Sequence, residues 1–265
     1  DLSHTRTDQG RSSCPLTVNI TRHSSHHCVA RTIRINKFFT EHGICSRREA
    51  DRLVESGVIT INDRVAKLGD QVESSDVITR EGLVIPWGKP TLYIKYHKPV
   101  GVTTTSESHV ARNIIAEIGH PERIFPIGRL DKDSSGLILL TNDGNIVNEI
   151  LRAEFGHERE YLVQVDRPFD QAFLNRMSCG VVILGSVTRP CQMTRVGHDQ
   201  FRIILTEGRN RQIRRMCHAL GYRVTTLHRT RIMHITVKGL RVGEWKELRS
   251  QEREQLMQAV GRSHT

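Results

Sequence analysis

The chain has 265 residues, enough for two domains, and its 37% hydrophobic and 26% charged residues are typical of a folded protein. Its longer apolar runs, such as Leu137–Leu140 and Val181–Leu184, are strand-length and far short of the roughly 20 residues of a membrane helix, and the polar N-terminus predicts no secretory signal. The net charge of +10 at pH 7 indicates a polyanionic partner, and without a basic amphipathic helix or lipidation signal we expect nucleic acid and no membrane.

The first part of the chain carries no structural pattern. Residues 1–31 are rich in Ser, Thr, His and Arg without sustained periodicity, which predicts a flexible extension. The six cysteines are scattered along the whole chain with no Cys-x-x-Cys pair, so we expect reduced thiols, a cytoplasmic protein and no disulfide framework. The cluster His26-His27-Cys28 could meet a metal fortuitously, but no metal site is predicted.

A small module is predicted over residues 32–80. Three apolar residues recur at helical spacing: Ile35, Phe38 and Phe39. Ser46 and Glu49 have the spacing of a capping box, in which each side chain bonds the other's backbone N–H, and this predicts a second helix that ends at Gly57. Short strands are expected at Val58–Ile61, Arg64–Lys67 and Asp76–Thr79.

Five basic residues lie on or beside these two helices: Arg34, Lys37, Arg47, Arg48 and Arg52. Arg47 and Arg48 fall in the first turn of the second helix, where the helix dipole disfavours cations, and this placement is compatible with phosphate binding. The alternative is a solvated charged face balanced by the nearby acids Glu41, Glu49, Asp51 and Glu55. Charge alone does not decide between the two.

The order of short motifs in this module is more specific than its charge. Arg34–Lys37, then Ser46–Ala50, Gly57 and Ile61-Asn62 resemble an S4-type RNA-binding domain over about residues 32–78. The resemblance implies that the five basic residues grip structured RNA through its shape and phosphates.

A second, larger domain is predicted over residues 91–250. Residues 81–90 contain Gly82, Pro86, Gly88 and Pro90 and are predicted to be a linker, and residues 251–265 a C-terminal tail. Between them, strand-like runs are predicted at Leu92–Tyr96, Leu137–Thr141, Tyr161–Val165, Phe201–Thr206 and Ile232–Val237. Helices are predicted at Ile146–Arg152, Gln171–Met177 and Arg211–Leu220. This mixture indicates an α+β fold.

The segment Gly128–Leu137 carries the most informative motif. Asp131 lies between glycine-bearing turns just before an apolar strand, a position where a rigid sheet meets a cleft. One alternative is an ordinary polar turn formed by Asp133 and Ser134. Another is a calcium loop, but its twelfth position is Asn142 instead of a bidentate Glu, so calcium is set aside.

Four motifs together resemble the bacterial RNA pseudouridine synthases of the small-subunit rRNA synthase branch: Gly128–Leu137, His97–Gly101, His157–Tyr161 and Gly208–Met216. The resemblance covers about residues 32–250 and implies an S4-type domain before a catalytic domain with a mixed or antiparallel sheet. Within the branch, Asn210–Met216 and Arg229–Met233 are most similar to a synthase of large-subunit (23S) rRNA.

The resemblance also implies roles for individual residues. Asp131 is the catalytic carboxylate, which either attacks C1′ of the ribose or removes the C2′ proton, and the sequence does not choose between these. Arg214 pairs with Asp131, and Tyr161 stacks on the extruded uracil. The remaining candidates would contact RNA: Lys98, Arg129, Arg211 and Arg215. One departure is Arg159, where the family usually carries Lys, and the geometry of the two side chains differs.

The implied reaction moves uracil from an N1 to a C5 linkage without oxidation or an imported group, so no cofactor is expected. The expected partner is structured large-subunit rRNA, with tRNA left open, and the protein is expected to act as a monomer. A methyltransferase is disfavoured because the chain contains no Gly-x-Gly, and a base-excising hydrolase would need a second carboxylate. The non-enzymatic alternative is an RNA-binding ribosome-assembly factor.

Overall fold

The computed structural model describes residues 32–88, 90–107 and 109–262, which belong to one compact unit beginning at Thr32. The flexible extension predicted over 1–31 lies outside the described residues, as does His26-His27-Cys28. Within the described ranges, no helix has both the length and the apolar character needed to cross a bilayer.

The N-terminal module has its own small core, between β1 (Ile33–Arg34), α1 (Ile35–Glu41), α2 (Arg47–Glu55), β2 (Ile59–Ile61), β3 (Arg64–Val65), β4 (Gln71–Val72), β5 (Ile78–Arg80) and β6 (Leu83–Val84). The apolar stripe predicted for α1 is buried. The hydroxyl of Ser46 accepts a hydrogen bond from the N–H of Glu49 at 3.2 Å, as the capping box predicts. The Glu49 carboxylate does not complete the box, because it lies 3.0 Å from Arg52 Nη1.

The segment predicted as a linker is part of this module. Strand β6 pairs with β5, with Val84 opposite Thr79. The indole of Trp87 donates to Asp76 O at 2.8 Å, and its ring lies 4.6 Å from that of Phe38. The prediction of a linker over 81–90 is therefore wrong for its middle part, because pairing and aromatic burial hold the chain on the module despite its prolines and glycines.

The larger part of the chain is built on a nine-stranded sheet. This part of the chain contains β7 (Tyr93–Lys98), α3 (Ile114–Ile118), β8 (Phe125–Ile127), β9 (Ser135–Thr141), α4 (Gly144–Leu151), β10 (Arg159–Val165), α5 (Gln171–Cys179), β11 (Val182–Ile183), β12 (Ser186–Val187), β13 (Gln192–Arg195), β14 (Gln200–Leu205), α6 (Gln212–Ala219), β15 (Val224–Ile232), β16 (Ile235–Thr236), β17 (Trp245–Glu247) and α7 (Ser250–Ala259). Strands β11 and β12 pair with each other outside the nine-stranded sheet. The strand order is β13-β14-β10-β15-β9-β7-β17, with β16 beside β15 and β8 beside β9. Only β15 and β9 run parallel among these pairs, so the predicted α+β fold with a mixed sheet is confirmed.

Strand β9 explains the apolar run Leu137–Leu140. Leu137 and Leu139 pack into one core with α4 and α7, and Ile138 and Leu140 pack into another with α3. A strand that is covered on both faces needs apolar side chains at every position, which is why the run does not alternate with polar residues.

The tail predicted over 251–265 is wrong for its first part, because residues Ser250–Ala259 form α7. Leu256 and Met257 of this helix are buried in the core beside Leu137. The Glu252 carboxylate lies 2.6 Å from Lys95 Nζ, and both side chains are about nine-tenths buried. Because the helix has few apolar residues, its packing depends on this distant partner, which no local pattern could predict.

Candidate active site

Asp131 lies in the loop that joins β8 to β9, and neighbouring segments fix this loop at both ends. The hydroxyl of Thr104 donates to Leu130 O at 2.8 Å. The N–H of Gly101 donates to Lys132 O at 2.7 Å. Since both bonds flank Asp131, the backbone of the carboxylate is held in place while its side chain is about one-third exposed.

Lys98 anchors the same loop from below. Its ammonium donates to Ser134 O at 2.7 Å and to Pro99 O at 2.8 Å, and the side chain is fully buried. The predicted contact of Lys98 with RNA stays a prediction, and in this structure its ammonium is engaged by two backbone carbonyl oxygens of the protein. The family motif singled out Lys98, and the contacts that this residue makes in the structure hold the loop of Asp131 in place.

Two carboxylates and two guanidinium groups form the centre of the site. Arg214 Nε lies 3.7 Å from Asp131 Oδ2, and Arg211 Nη1 lies closer to the same oxygen, at 3.2 Å. Both arginines also reach Asp133 Oδ2, each through Nη2 at 3.3 Å. Each carboxylate is thus shared between the same two cations.

The two arginines differ in how they are held. Arg214 is mostly buried and also donates to Asp133 O at 3.0 Å, Ser134 Oγ at 3.1 Å and Val224 O at 3.3 Å. The Arg211 side chain is 42% exposed, and its guanidinium contacts the two carboxylates. We predicted that Arg211 meets phosphates, but in this structure its guanidinium is engaged by Asp131 and Asp133.

The pKa of Asp133 reflects this cluster. Burial raises its pKa, but the hydrogen bond from Arg211 and the charge of Arg214 lower it more, so the net shift is downward. The same hydrogen bond raises the pKa of Arg211. Asp133, which the sequence marked as a turn former, therefore also positions both arginines beside Asp131.

A cavity of about 420 Å³ lies next to this cluster, and Asp131 and Tyr161 both line it. Tyr161 comes from β10, where its partners are Ile203 on β14 and Arg229 on β15. The apolar part of the wall comes from Leu130, Leu151, Leu205, Ile213 and Leu227. An aromatic ring and aliphatic side chains beside a carboxylate suit a flat heterocycle next to a reacting sugar.

Three buried charged residues of this cavity received no role from the sequence. Arg159 and Arg229 are 6% and 3% exposed, and the Glu207 carboxylate is 7% exposed. Glu207 accepts from Arg209 Nε at 3.2 Å and from Gln212 Nε2 at 2.9 Å. Arg159 and Arg229 belong to the motifs His157–Tyr161 and Arg229–Met233. Their burial depends on the pairing of strands, which the spacing of residues in the sequence does not reveal.

The other predicted RNA contacts lie at the surface. Arg129 is exposed and lines the cavity, while Arg215 is exposed and bonds Asn210. The five basic residues of the N-terminal module do not line this cavity. Among them, Lys37 pairs with Glu41 and Arg52 with Glu49, whereas for Arg34, Arg47 and Arg48 no acidic partner lies within 4 Å in the described part of the chain. Across the described residues, no group of three or more His, Cys, Asp or Glu is placed to hold a metal ion.

The chain is similar to known proteins over most of its length. A family model described as RNA pseudouridylate synthase matches residues 92–219, and the S4 domain model matches residues 33–78. The dual-specificity RNA pseudouridine synthase RluF of Escherichia coli strain K12 is 48% identical over 223 residues, which cover 83% of this chain and 77% of that protein. The ribosomal large subunit pseudouridine synthase B of Bacillus subtilis strain 168 is 32% identical over 228 residues, which cover 83% and 93%. A crystal structure of a pseudouridylate synthase matches with a TM-score of 0.62 at 27% identity, over 84% of this chain and 99% of that one.

The burial of Lys98 makes the stability of the fold depend on pH. Burial lowers its pKa from 10.5 to about 8, although Asp131 and Asp133 oppose the shift. The unfolded chain therefore keeps this proton up to a higher pH than the folded chain does. Burying the charged form costs stability below pH 8, and the cost is relieved as the pH rises from about 8 towards 10.5.

We expect the free energy of unfolding of the wild type, relative to that of Lys98→Met, to rise by about 2–3 kcal/mol across this window, since one pKa unit is worth about 1.4 kcal/mol. Urea unfolding of both proteins between about pH 7 and pH 10 measures it. The variant controls for all other groups that titrate there. Parallel stability curves would contradict the depressed pKa of Lys98.

Proposed function

This chain belongs to the RNA pseudouridine synthase family, and we propose that it isomerises a uridine of large-subunit (23S) ribosomal RNA with Asp131 as the catalytic carboxylate. The observation that supports this most directly is the Asp131 carboxylate, shared by two guanidinium groups at the mouth of a cavity lined by Tyr161. The large-subunit target rests on the name of the Bacillus subtilis relative and on the identity with RluF.

Asp131 acts at the sugar of the target nucleotide. In one route a carboxylate oxygen bonds C1′ as the C1′–N1 bond breaks, and in the other the carboxylate takes the C2′ proton. Both routes need a charged carboxylate, and Arg211 and Arg214 hold the Asp131 side chain in place through its Oδ2. C5 of the turned base then bonds C1′ as the bond from Asp131 to C1′ breaks or, in the other route, as the proton returns from Asp131 to C2′. The C5 proton leaves and N1 gains one, so atoms balance without a cofactor.

The target base must leave the RNA stack before it can reach Asp131. Tyr161 packs against its face inside the cavity, and Arg129, exposed at the rim, contacts the vacated position or its phosphate. We expect the enzyme to act as a monomer. The E. coli relative is named a dual-specificity synthase, so we include tRNA as a second candidate substrate, and we place the activity in the cytoplasm, where ribosomes are assembled.

The N-terminal module holds the RNA while the larger domain reacts with it. Arg47 and Arg48 are exposed in the first turn of α2, without an acidic partner within 4 Å among the described residues. Cations that are not neutralised by the protein are free to meet phosphates. Arg34 supports the same role, whereas Lys37 and Arg52 would have to share their charge with neighbouring acids.

Asp131→Asn tests the assignment of the catalytic carboxylate. The change keeps the shape of the side chain and removes its charge, so we expect pseudouridine formation to fall by more than about a thousandfold, with RNA affinity nearly unchanged. Carbodiimide labelling of an rRNA fragment after single turnover measures it. The matched control is Asp133→Asn, because Asp133 contacts the same two arginines as Asp131. This variant should retain much more activity than Asp131→Asn. Turnover of Asp131→Asn within tenfold of wild type would overturn the assignment.

Arg214 and Arg211 provide a second test, because they share Asp131 but differ in burial. Arg214→Ala removes a mostly buried donor that bonds the carbonyl oxygens of Asp133 and Val224, so we expect a loss of about 1–3 kcal/mol in stability together with a lower kcat. Arg211→Ala removes an exposed partner, so its effect on stability should stay below about 1 kcal/mol. Urea unfolding and single-turnover rates measure both variants. Equal destabilisation by the two changes would contradict the distinction.

The double variant Arg47→Gln/Arg48→Gln tests the role of the module. We expect weaker binding of the rRNA fragment with nearly unchanged single-turnover rate at saturating RNA, and a salt dependence of log Kd flatter by about 0.7–0.9 per lost phosphate contact. The control is Arg64→Gln in the same module, because Arg64 is already paired with Asp70 at 2.9 Å. Titrations at several salt concentrations that give the wild-type slope would show that these arginines do not meet phosphates.

A further inference from the structure

Two arginines of the catalytic cavity are buried without a negative partner. Arg159 and Arg229 are both more than nine-tenths buried and line the cavity that contains Asp131. In the described part of the chain, neither guanidinium has a carboxylate within 4 Å. Burying an uncompensated charge is costly, and buried charges in proteins are usually paired.

The contacts of these two arginines orient them but do not neutralise them. Arg159 Nη2 donates to Ile150 O at 2.9 Å. Arg229 Nε donates to Leu137 O at 2.7 Å and its Nη1 to Arg129 O at 3.5 Å, while its Nη2 is buried without a hydrogen-bond partner among the described residues. Both side chains are thus held by backbone carbonyl oxygens alone, which leaves guanidinium nitrogens without an acceptor.

The two carboxylates that line the same cavity are occupied by other groups. Asp131 is shared by Arg211 and Arg214. Glu207 is held by Arg209 and Gln212. The positive charge of Arg159 and Arg229 therefore remains as a surplus in a confined space, where it is screened less than in bulk water.

The electrostatic surroundings agree with such a surplus. Burial lowers the pKa of Arg159, the Tyr161 hydroxyl opposes this, and the charge of Arg229 lowers the pKa further. An arginine nevertheless stays protonated at neutral pH, since its ordinary pKa is above 12. Two like charges that repel each other in a cavity are stabilised when an electron-rich ligand enters.

Strand pairing places this surplus beside the base-stacking position. Tyr161 lies directly opposite Arg229 in the pairing of β10 with β15, so both side chains are on the same face of the sheet. Arg159 precedes Tyr161 by two residues on β10. The register with β15 shifts between Glu160 and Tyr161, but Arg159 and Tyr161 both line the same cavity. A base packed against Tyr161 would therefore present its carbonyl oxygens to both guanidinium groups.

We propose that Arg159 and Arg229 form a binding site for the carbonyl oxygens of the extruded uracil and stabilise the negative charge on the base when it detaches. The inference rests on the proposed function, because it requires that uracil enters this cavity. When the C1′–N1 bond breaks, its electron pair stays with the base and spreads from N1 onto O2 and O4. The positive charge left at C1′ of the sugar is removed either by the bond that Asp131 forms to C1′ or by transfer of the C2′ proton to Asp131.

This site favours the detached base over the bound nucleotide. A neutral uridine offers weakly charged carbonyl oxygens, whereas the detached base carries a full negative charge, so the guanidinium groups gain most of their interaction after the bond has broken. Interactions that strengthen between substrate and transition state raise kcat and leave KM nearly unchanged. Re-formation of the bond from C5 to C1′ then removes the charge.

The test compares uridine with 5-fluorouridine at the target position. Fluorine withdraws electrons and stabilises the detached base by itself, so the fluorinated substrate depends less on the arginines. We expect Arg159→Gln to slow single-turnover loss of uridine at saturating RNA about 10- to 100-fold, the effect of one charged hydrogen bond. The same substitution should slow the loss of 5-fluorouridine less, and the ratio of the two slowing factors should be about threefold or more. Arg159→Lys, which keeps the charge, should lie between wild type and Arg159→Gln.

The matched control is Arg231→Gln on the same strand as Arg229. Arg231 also donates to a backbone carbonyl, Met233 O at 2.6 Å, but is paired with Glu158 at 2.9 Å and does not line the cavity. Its ratio of uridine to 5-fluorouridine rates should equal that of the wild type. Circular dichroism and thermal unfolding of each variant confirm that the fold is intact, and if Arg159→Gln is unfolded, Arg159→Lys carries the comparison.

An equal slowing of both substrates by Arg159→Gln would show a purely structural role and overturn the proposal. Loss of RNA affinity with an unchanged single-turnover rate would also overturn it and indicate a phosphate contact. These outcomes are distinct from failure of the proposed function, in which the wild type would form no pseudouridine at all. The Asp131→Asn variant should be inactive on both substrates, whatever the arginines do.

Discussion

The active site depends on a close approach of two strands at Gly136. Strands β9 and β15 run parallel, with Gly136 opposite Arg229, and a Cβ atom at residue 136 would lie 2.2 Å from Arg229 O. Its φ of +110° also lies in a region that disfavours other residues. No side chain fits there, so glycine is required by both space and backbone conformation.

That approach brings together groups that are far apart in the sequence. The loop of Asp131 leads directly into β9, and α6 with Arg214 leads into β15. On the other side of β15, strand β10 places Tyr161 opposite Arg229. The pairing of β9 with β15 at Gly136 therefore brings together the Asp131 carboxylate, its guanidinium partners and the Tyr161 ring. The rigidity of the sheet fixes their relative positions.

The sequence predicts the parts of this arrangement that local patterns encode. The α6 stripe of Ile213, Met216 and Cys217 is buried as its spacing indicates, and Ser46 caps its helix. The family resemblance carried by the Asp131 motif is confirmed, because it depends on contiguous residues. The roles given to Asp131, Tyr161 and Arg214 stay predictions, since geometry alone does not measure chemistry.

What the sequence could not predict depends on partners far along the chain. Helix α7 forms where a tail was expected, and its Glu252 finds its buried partner in Lys95, 157 residues earlier. Lys98 is basic and belongs to a recognisable motif, but only the fold shows that Ser134 O and Pro99 O occupy its ammonium. Arg211 likewise has a phosphate-binding pattern, and only the path of the loop brings Asp133 to it.

The basic residues behind the net charge of +10 therefore fall into two groups, exposed and buried, with different physical roles. Exposed arginines such as Arg47 and Arg48 are surrounded by solvent, where salt screens them, and their contribution to binding depends on released counterions. Buried arginines such as Arg159 and Arg229 are screened much less, because mobile ions cannot enter the protein around them. Rising salt should consequently weaken the capture of RNA long before it affects the chemical step, and an enzyme saturated with RNA should keep its rate. This separation follows from burial alone and links the basic composition of the chain to two successive stages of one reaction.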